Sequence, residues 1–235
     1  MILIVTVLLS GLAGVFLLSL AEQRVEEAAA ARPSPPAEQL PPAAPEEGEA
    51  PPRPAWSKYL LIGGMLLCSG VMAVFLDRFY GADTLTIVNI LLLCSVLWPC
   101  AWADAQAKVI PNRVLLVGLI FRIGVLGWEL AFCPEDIFVD LVRGVAAAAA
   151  LGLVTVLCRL VIPKSIGFGD MKLLMLMGLY LGTDRIGGSV FCTMAVSFVY
   201  SLYLVLVKRA NMKTELPYAP LLLIGTVLAT FLIDV

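Results

Sequence analysis

Residues 84–103 read TLTIVNILLLCSVLWPCAWA, and residue 104 is an aspartate. At 1.5 Å per residue such a run makes a helix about 30 Å long, the thickness of a bilayer's hydrocarbon core. It carries no charged side chain, and lipid offers backbone N–H and C=O groups no partner, so a run of this kind crosses as a helix. Seven more apolar runs lie on either side, at about 1–20, 58–77, 112–133, 137–163, 169–183, 187–207 and 216–234. The fold expected is therefore all-α: a polytopic transmembrane helical bundle of about eight spans.

Composition agrees. Of 235 residues 60% are hydrophobic and 14% charged, and the mean hydropathy is +0.96, outside the range of soluble domains. A net charge of -2 provides no basic field for nucleic acid, which is excluded as a partner. Histidine is absent, which removes Ser-His and Cys-His nucleophile pairs and every histidine-ligated metal. The six cysteines lie in or at the ends of apolar runs and form no Cys-x-x-Cys pair, so neither a zinc ribbon nor a disulfide framework is expected. No cofactor and no metal is expected.

Residues 21–56 break the pattern, being rich in Pro, Ala and Glu, a composition that buries no core and suits a linker. The expected organisation is an anchor over 1–20, that linker, an additional transmembrane helix within 57–83 and a membrane domain over 84–235. The first run lacks a basic start and a small-residue cleavage site, so it reads as a retained anchor rather than a removed signal. Lys108 and Arg113 follow the third run, Arg159, Lys164 and Lys172 the fifth, and Lys208, Arg209 and Lys213 the seventh. Basic residues resist translocation, so these loops are expected on the cytoplasmic side, with both termini opposite.

Two acidic residues stand apart. Asp104 closes the third run and Asp170 opens the sixth, in SIGFGDMK at 165–172. Two spans separate them, out and back, which returns both carboxylates to one membrane face. Ionisable groups at that depth are usually paired or functional. Two carboxylates within reach of one another share a proton. Such a pair can hydrolyse an amide without metal or histidine: one takes a proton from water while the other polarises the carbonyl and then protonates the leaving amine. Asp170 begins a helix and Asp104 ends one, so the helix dipoles favour the charge on Asp170 and the proton on Asp104. Gly167 and Gly169 are expected to let an extended peptide approach Asp170 closely.

These residues resemble the type IV prepilin peptidase family, bacterial intramembrane aspartyl proteases of the GxGD class. DAQAKVIPN at 104–112 matches the family's Asp, five residues, Ile-Pro-Asn spacing. GFGDMKLL at 167–174 matches its GxGDxKL element, and ELPYAPLL at 215–222 is similar to the Pro-Phe-Gly-Pro stretch before the last helix. The resemblance implies Asp104 and Asp170 as the catalytic pair of an aspartic-type endopeptidase of the bacterial inner membrane, acting on the cytoplasmic side. Its partners would be membrane lipids and pilin-like precursors with short basic leader peptides. Substrate contacts are expected from Gly167, Phe168, Gly169 and Lys172, and from Pro111 and Asn112, where the chain re-enters the membrane.

Where many members have a domain with two Cys-x-x-Cys pairs linked to N-methylation, this chain has the Pro/Glu-rich segment, so methyl transfer is not expected. Gln106 replaces a basic residue often found there, and Tyr218-Ala219 replaces Phe-Gly. A presenilin-like or signal peptide peptidase-like enzyme fits worse, because Ala103 rather than Tyr precedes Asp104. An inactive scaffold, or a proton- or cation-coupled transporter, is the rival from another class. A proton relay places its acids nearer the bilayer middle.

Overall fold

A computed structural model describes residues 2–30, 56–81, 83–132, 137–162, 167–206 and 217–232. Among them every regular element is helical: α1 (Ile2–Ala30), α2 (Trp56–Phe75), α3 (Thr84–Ala107), α4 (Asn112–Phe132), α5 (Ile137–Val161), α6 (Phe168–Leu206) and α7 (Tyr218–Leu232). Six of these are long and apolar enough to cross a membrane, and α7 is shorter. The chain is a multi-pass membrane protein. The expected linker beyond residue 30, and Lys164, Lys208, Arg209 and Lys213, lie outside the described residues. The anchor expected over 1–20 is longer than read, since α1 runs on to Ala30 through the first part of the segment read as linker.

Helix α3 is the axis of the bundle, touching α1, α2, α4, α6 and α7. Its Leu91, Leu93, Val96, Leu97 and Cys100 are fully buried. Polar side chains along the spans cap their own backbones: Ser95 donates to Leu92 O at 2.7 Å and Thr226 to Leu222 O at 2.8 Å. Leu116, Ile120, Ile123 and Trp128 of α4, and Phe138, Leu153 and Leu160 of α5, face outward, where lipid rather than protein is their solvent.

The sixth and seventh expected spans are the two arms of α6, two helices that meet without a loop at a kink at Gly182, whose φ of 65° and ψ of -175° are non-helical. Gly182 lies about 18 Å from Asp170 along the first arm. A straight continuation would carry Thr193 some 16 Å farther. Thr193 instead backs directly onto Gly225, about 9 Å along α7 from Ala219, so the second arm folds back along the bundle. One glycine does the work of the loop read at 184–186.

The first arm packs antiparallel to α5 with the backbones almost touching. A Cβ on Gly178 would come within 2.7 Å of Ala148 N, and one on Gly144 within 3.0 Å of Leu179 O. Small residues at such a crossing are how helices associate in lipid, where burial of apolar area no longer drives packing. This contact fixes where α6 begins, and so the position of Asp170.

Candidate active site

Helix α3 ends one turn after Asp104 because Lys108 turns left-handed, with φ of 53°, and returns its N–H to Asp104 O at 2.9 Å. That conformation usually belongs to Gly or Asn. The chain then passes through Ile110 to Pro111, whose carbonyl accepts from Val114 N at 3.1 Å and Leu115 N at 3.3 Å. Pro has no N–H to leave unsatisfied, so it suits the position ahead of a first turn. Thus α3, a tight turn and α4 are locked together at one end of the bundle.

Asp104 is buried, at 7% exposure. Its Oδ2 accepts the backbone N–H of Ala219 at 2.9 Å, and the N–H of Tyr218 also points to it. Both donors belong to the first turn of α7, where N–H groups have no partner within the helix. Asp170 lies in the first turn of α6 and accepts from the backbone of Gly167. The Asp104 charge acts on Asp170, and that of Asp170 on the Tyr218 hydroxyl. Two carboxylates from distant parts of the chain therefore lie near one another at one bundle end, each accepting from backbone N–H at the start of a helix. This removes the basis for assigning the proton to Asp104. That residue ends α3 but also faces the positive end of α7, so the dipoles no longer separate the two acids.

The other residues singled out in the sequence gather here with different contacts. A Cβ on Gly167 would lie 3.0 Å from Asp170 Oδ2, so this glycine keeps the carboxyl clear. A Cβ on Gly169 would lie 2.9 Å from Ile110 Cβ, so this one lets α6 seat against the turn after α3. Phe168 is exposed, and the Arg159 guanidinium sits over its ring, 3.8 Å from the centroid. Lys172 Nζ donates to Asn112 Oδ1 at 3.1 Å, tying α6 to α4. The N–H donors of Tyr218 and Ala219 escape a reading of side chains. Their signal is Pro217, immediately before α7.

Among the described residues no three metal-ligating side chains converge. What the site offers is a pair of oriented carboxylates at one end of the bundle, an arrangement suited to proton transfer on a polar bond.

Residues 91–208, half of the chain, match the model of the type IV leader peptidase family. The match takes in Asp104, Pro111-Asn112 and the Gly167–Lys172 stretch. The prepilin leader peptidase/N-methyltransferase of Bacillus subtilis (strain 168) is 29% identical over 135 residues, 57% of this chain and 52% of the relative. The chain thus spans about half the length of that curated relative. No solved structure matches it.

Proposed function

The chain belongs to the type IV leader peptidase family, and on that premise we propose that Asp104 and Asp170 are the catalytic pair of an aspartic-type endopeptidase. Its substrates are pilin-like precursors, cut behind a short basic leader at the cytoplasmic face of the bacterial inner membrane. The observation that carries this reading is the nearness of the two carboxylates at one bundle end, with the Ala219 N–H on Asp104 Oδ2 at 2.9 Å.

One carboxylate, ionised, takes a proton from a water molecule, and the water oxygen attacks the scissile carbonyl carbon. The other, protonated, gives its proton to the carbonyl oxygen. In the tetrahedral diol that results, the first carboxyl passes its proton to the amide nitrogen, the C–N bond breaks and the second carboxylate recovers a proton from the diol. The pair ends as it began. Backbone donors matter because the pair must be oriented before the peptide arrives. The cytoplasmic assignment draws on Lys108, Arg113, Arg159 and Lys172, which follow the spans ending at this face or begin the next. Cleavage without methylation accords with a chain that has no Cys-x-x-Cys pair.

The test is co-expression with a pilin-like precursor, alongside Asp104→Asn and Asp170→Asn, reading the product's new N-terminus by mass spectrometry. Each variant should lose about 10²–10⁴-fold in cleavage, the usual contribution of positioned proton transfer, and the wild-type product should be unmethylated. Full cleavage by either variant would falsify the assignment.

A further inference from the structure

Helix α7 enters the aspartate site with its first residue. The N–H groups of Tyr218 and Ala219 both point at Asp104, the second onto Oδ2 at 2.9 Å. The Tyr218 side chain leaves from the same point. Its ring is half-buried and packs against the core of the bundle, while its hydroxyl lies within the field of the Asp170 charge. One residue thus faces both acids, with its main chain on Asp104 and its phenol toward Asp170.

That hydroxyl is open. Among the described residues it has no hydrogen-bond partner, and it is not one of the sealed polar atoms, which are Trp102 Nε1, Glu129 Oε2 and Ser197 Oγ. Its oxygen is therefore accessible beside the two carboxylates. A phenol is an O–H donor at neutral pH, and what it can donate to here is set by the reaction. Negative charge develops on the scissile carbonyl oxygen, which has two lone pairs. One receives the proton of the acidic carboxyl. The other is left for a hydrogen bond, and a donor aimed where charge develops raises the rate more than one that binds the resting substrate.

We propose that Tyr218 is a third catalytic residue, whose hydroxyl donates to the scissile carbonyl oxygen as the tetrahedral diol forms. The proposal rests on the aspartate pair being the reacting acids, and it adds no proton transfer to their cycle, because the phenol keeps its hydrogen throughout. The Phe-Gly of the family's element has no such donor. The contact is an addition made in this chain, and its loss should slow the reaction without stopping it.

The full chain is purified in detergent and given the precursor cleaved in the test above. Initial rates are read against precursor concentration for the wild type, Tyr218→Phe and Tyr218→p-aminophenylalanine, beside Asp104→Asn and Asp170→Asn, with melting followed in parallel. Tyr218→Phe keeps the ring and its packing, so kcat should fall about tenfold, the size of one hydrogen bond, while KM and the melting temperature hold. The p-amino group restores a neutral N–H donor at nearly the same place, and most of the lost rate should return. A Tyr218→Phe variant with the wild-type kcat, or with a raised KM alone, overturns the proposal. So does a rate loss that tracks a lower melting temperature, or one that the amino variant does not recover. The two readings fail separately: aspartate variants that still cleave would remove the pair and Tyr218 with it, whereas cleavage lost in both beside an unaltered Tyr218→Phe would remove Tyr218 alone.

Discussion

Gly167 and Gly169 flank Phe168, and they differ in what a side chain would touch. At Gly167 the nearest atom is Asp170 Oδ2, 3.0 Å from a built Cβ; at Gly169 it is Ile110 Cβ, 2.9 Å away. Gly167→Ala should therefore push on the carboxyl proposed to react and lower cleavage about tenfold, the effect of roughly 1.4 kcal/mol in the transition state, with melting unchanged. Gly169→Ala should lower the melting temperature, through overpacking of about 1–3 kcal/mol. Ile110→Ala in the same chain should return much of it. Equal loss of stability from both glycine variants would show that the two positions do one job. A second test removes a donor and not a side chain. Ala219→Pro deletes the N–H that Asp104 Oδ2 accepts, at a first-turn position where proline is tolerated. A hydrogen bond to a charged group is worth about 1.5–3 kcal/mol, so cleavage should fall about 10- to 100-fold while the melting temperature holds. The two aspartates were legible in the sequence, because counting spans returns them to one face. The roles of Gly169 and of Ala219 were not, since each depends on a neighbour from a distant part of the chain: Ile110 in the turn after α3 for one, and Asp104 for the other.

Helix α6 shows what hydropathy can and cannot locate. Its two apolar halves are plain in the sequence, and the expected break between them is only a few residues from Gly182. That no loop intervenes was not legible, because TDRIGG reads as a turn by composition while the reversal is made by the backbone of the preceding glycine. A φ of 65° with ψ of -175° is nearly closed to other residues. A Cβ there would meet nothing closer than Arg143 Cβ at 3.6 Å, so the penalty of Gly182→Ala is backbone strain, about 1–3 kcal/mol. Gly178→Ala should also destabilise, for a different reason: its Cβ would collide with the backbone of α5, 2.7 Å from Ala148 N. Gly124, on the exposed face of α4 with nothing within 4 Å of a built Cβ, is the control, and Gly124→Ala should be neutral or stabilising by up to about 1 kcal/mol. Denaturation of the three variants in one detergent ranks them. A neutral Gly182→Ala would mean that the bend belongs to its neighbours and not to the glycine.

At the scale of the whole bundle, ionisable groups at depth are placed at its two ends, Asp104 and Asp170 at one and Arg122 and Glu129 toward the other. The second pair sits inside FRIGVLGWEL at 121–130, opposite charges seven residues apart on one face of a helix. The spacing was readable there, but Asn89 and Leu179, whose oxygens Arg122 also reaches at 2.9 and 3.0 Å, come from α3 and α6. The first helix is the larger surprise. It was expected to be an anchor on a linker, and the family match begins only at residue 91. Yet Leu17 and Ala21 are fully buried, and Gly14 lies against Met65 and Ser95, so α1 covers the flank of the helix that carries Asp104. In lipid such contacts hold through packing alone, and that is sufficient for recognition without a covalent tie. A chain expressed in two pieces, 1–40 and 41–235, should reassemble in the membrane, with the short piece copurifying through a tag on the long one. The long piece alone should melt several degrees lower, and its cleavage should fall, because α3 would lose support along its length. If it instead kept the melting temperature and activity of the whole while the short piece washed away, α1 would be a detachable tether and its buried face would owe nothing to the site.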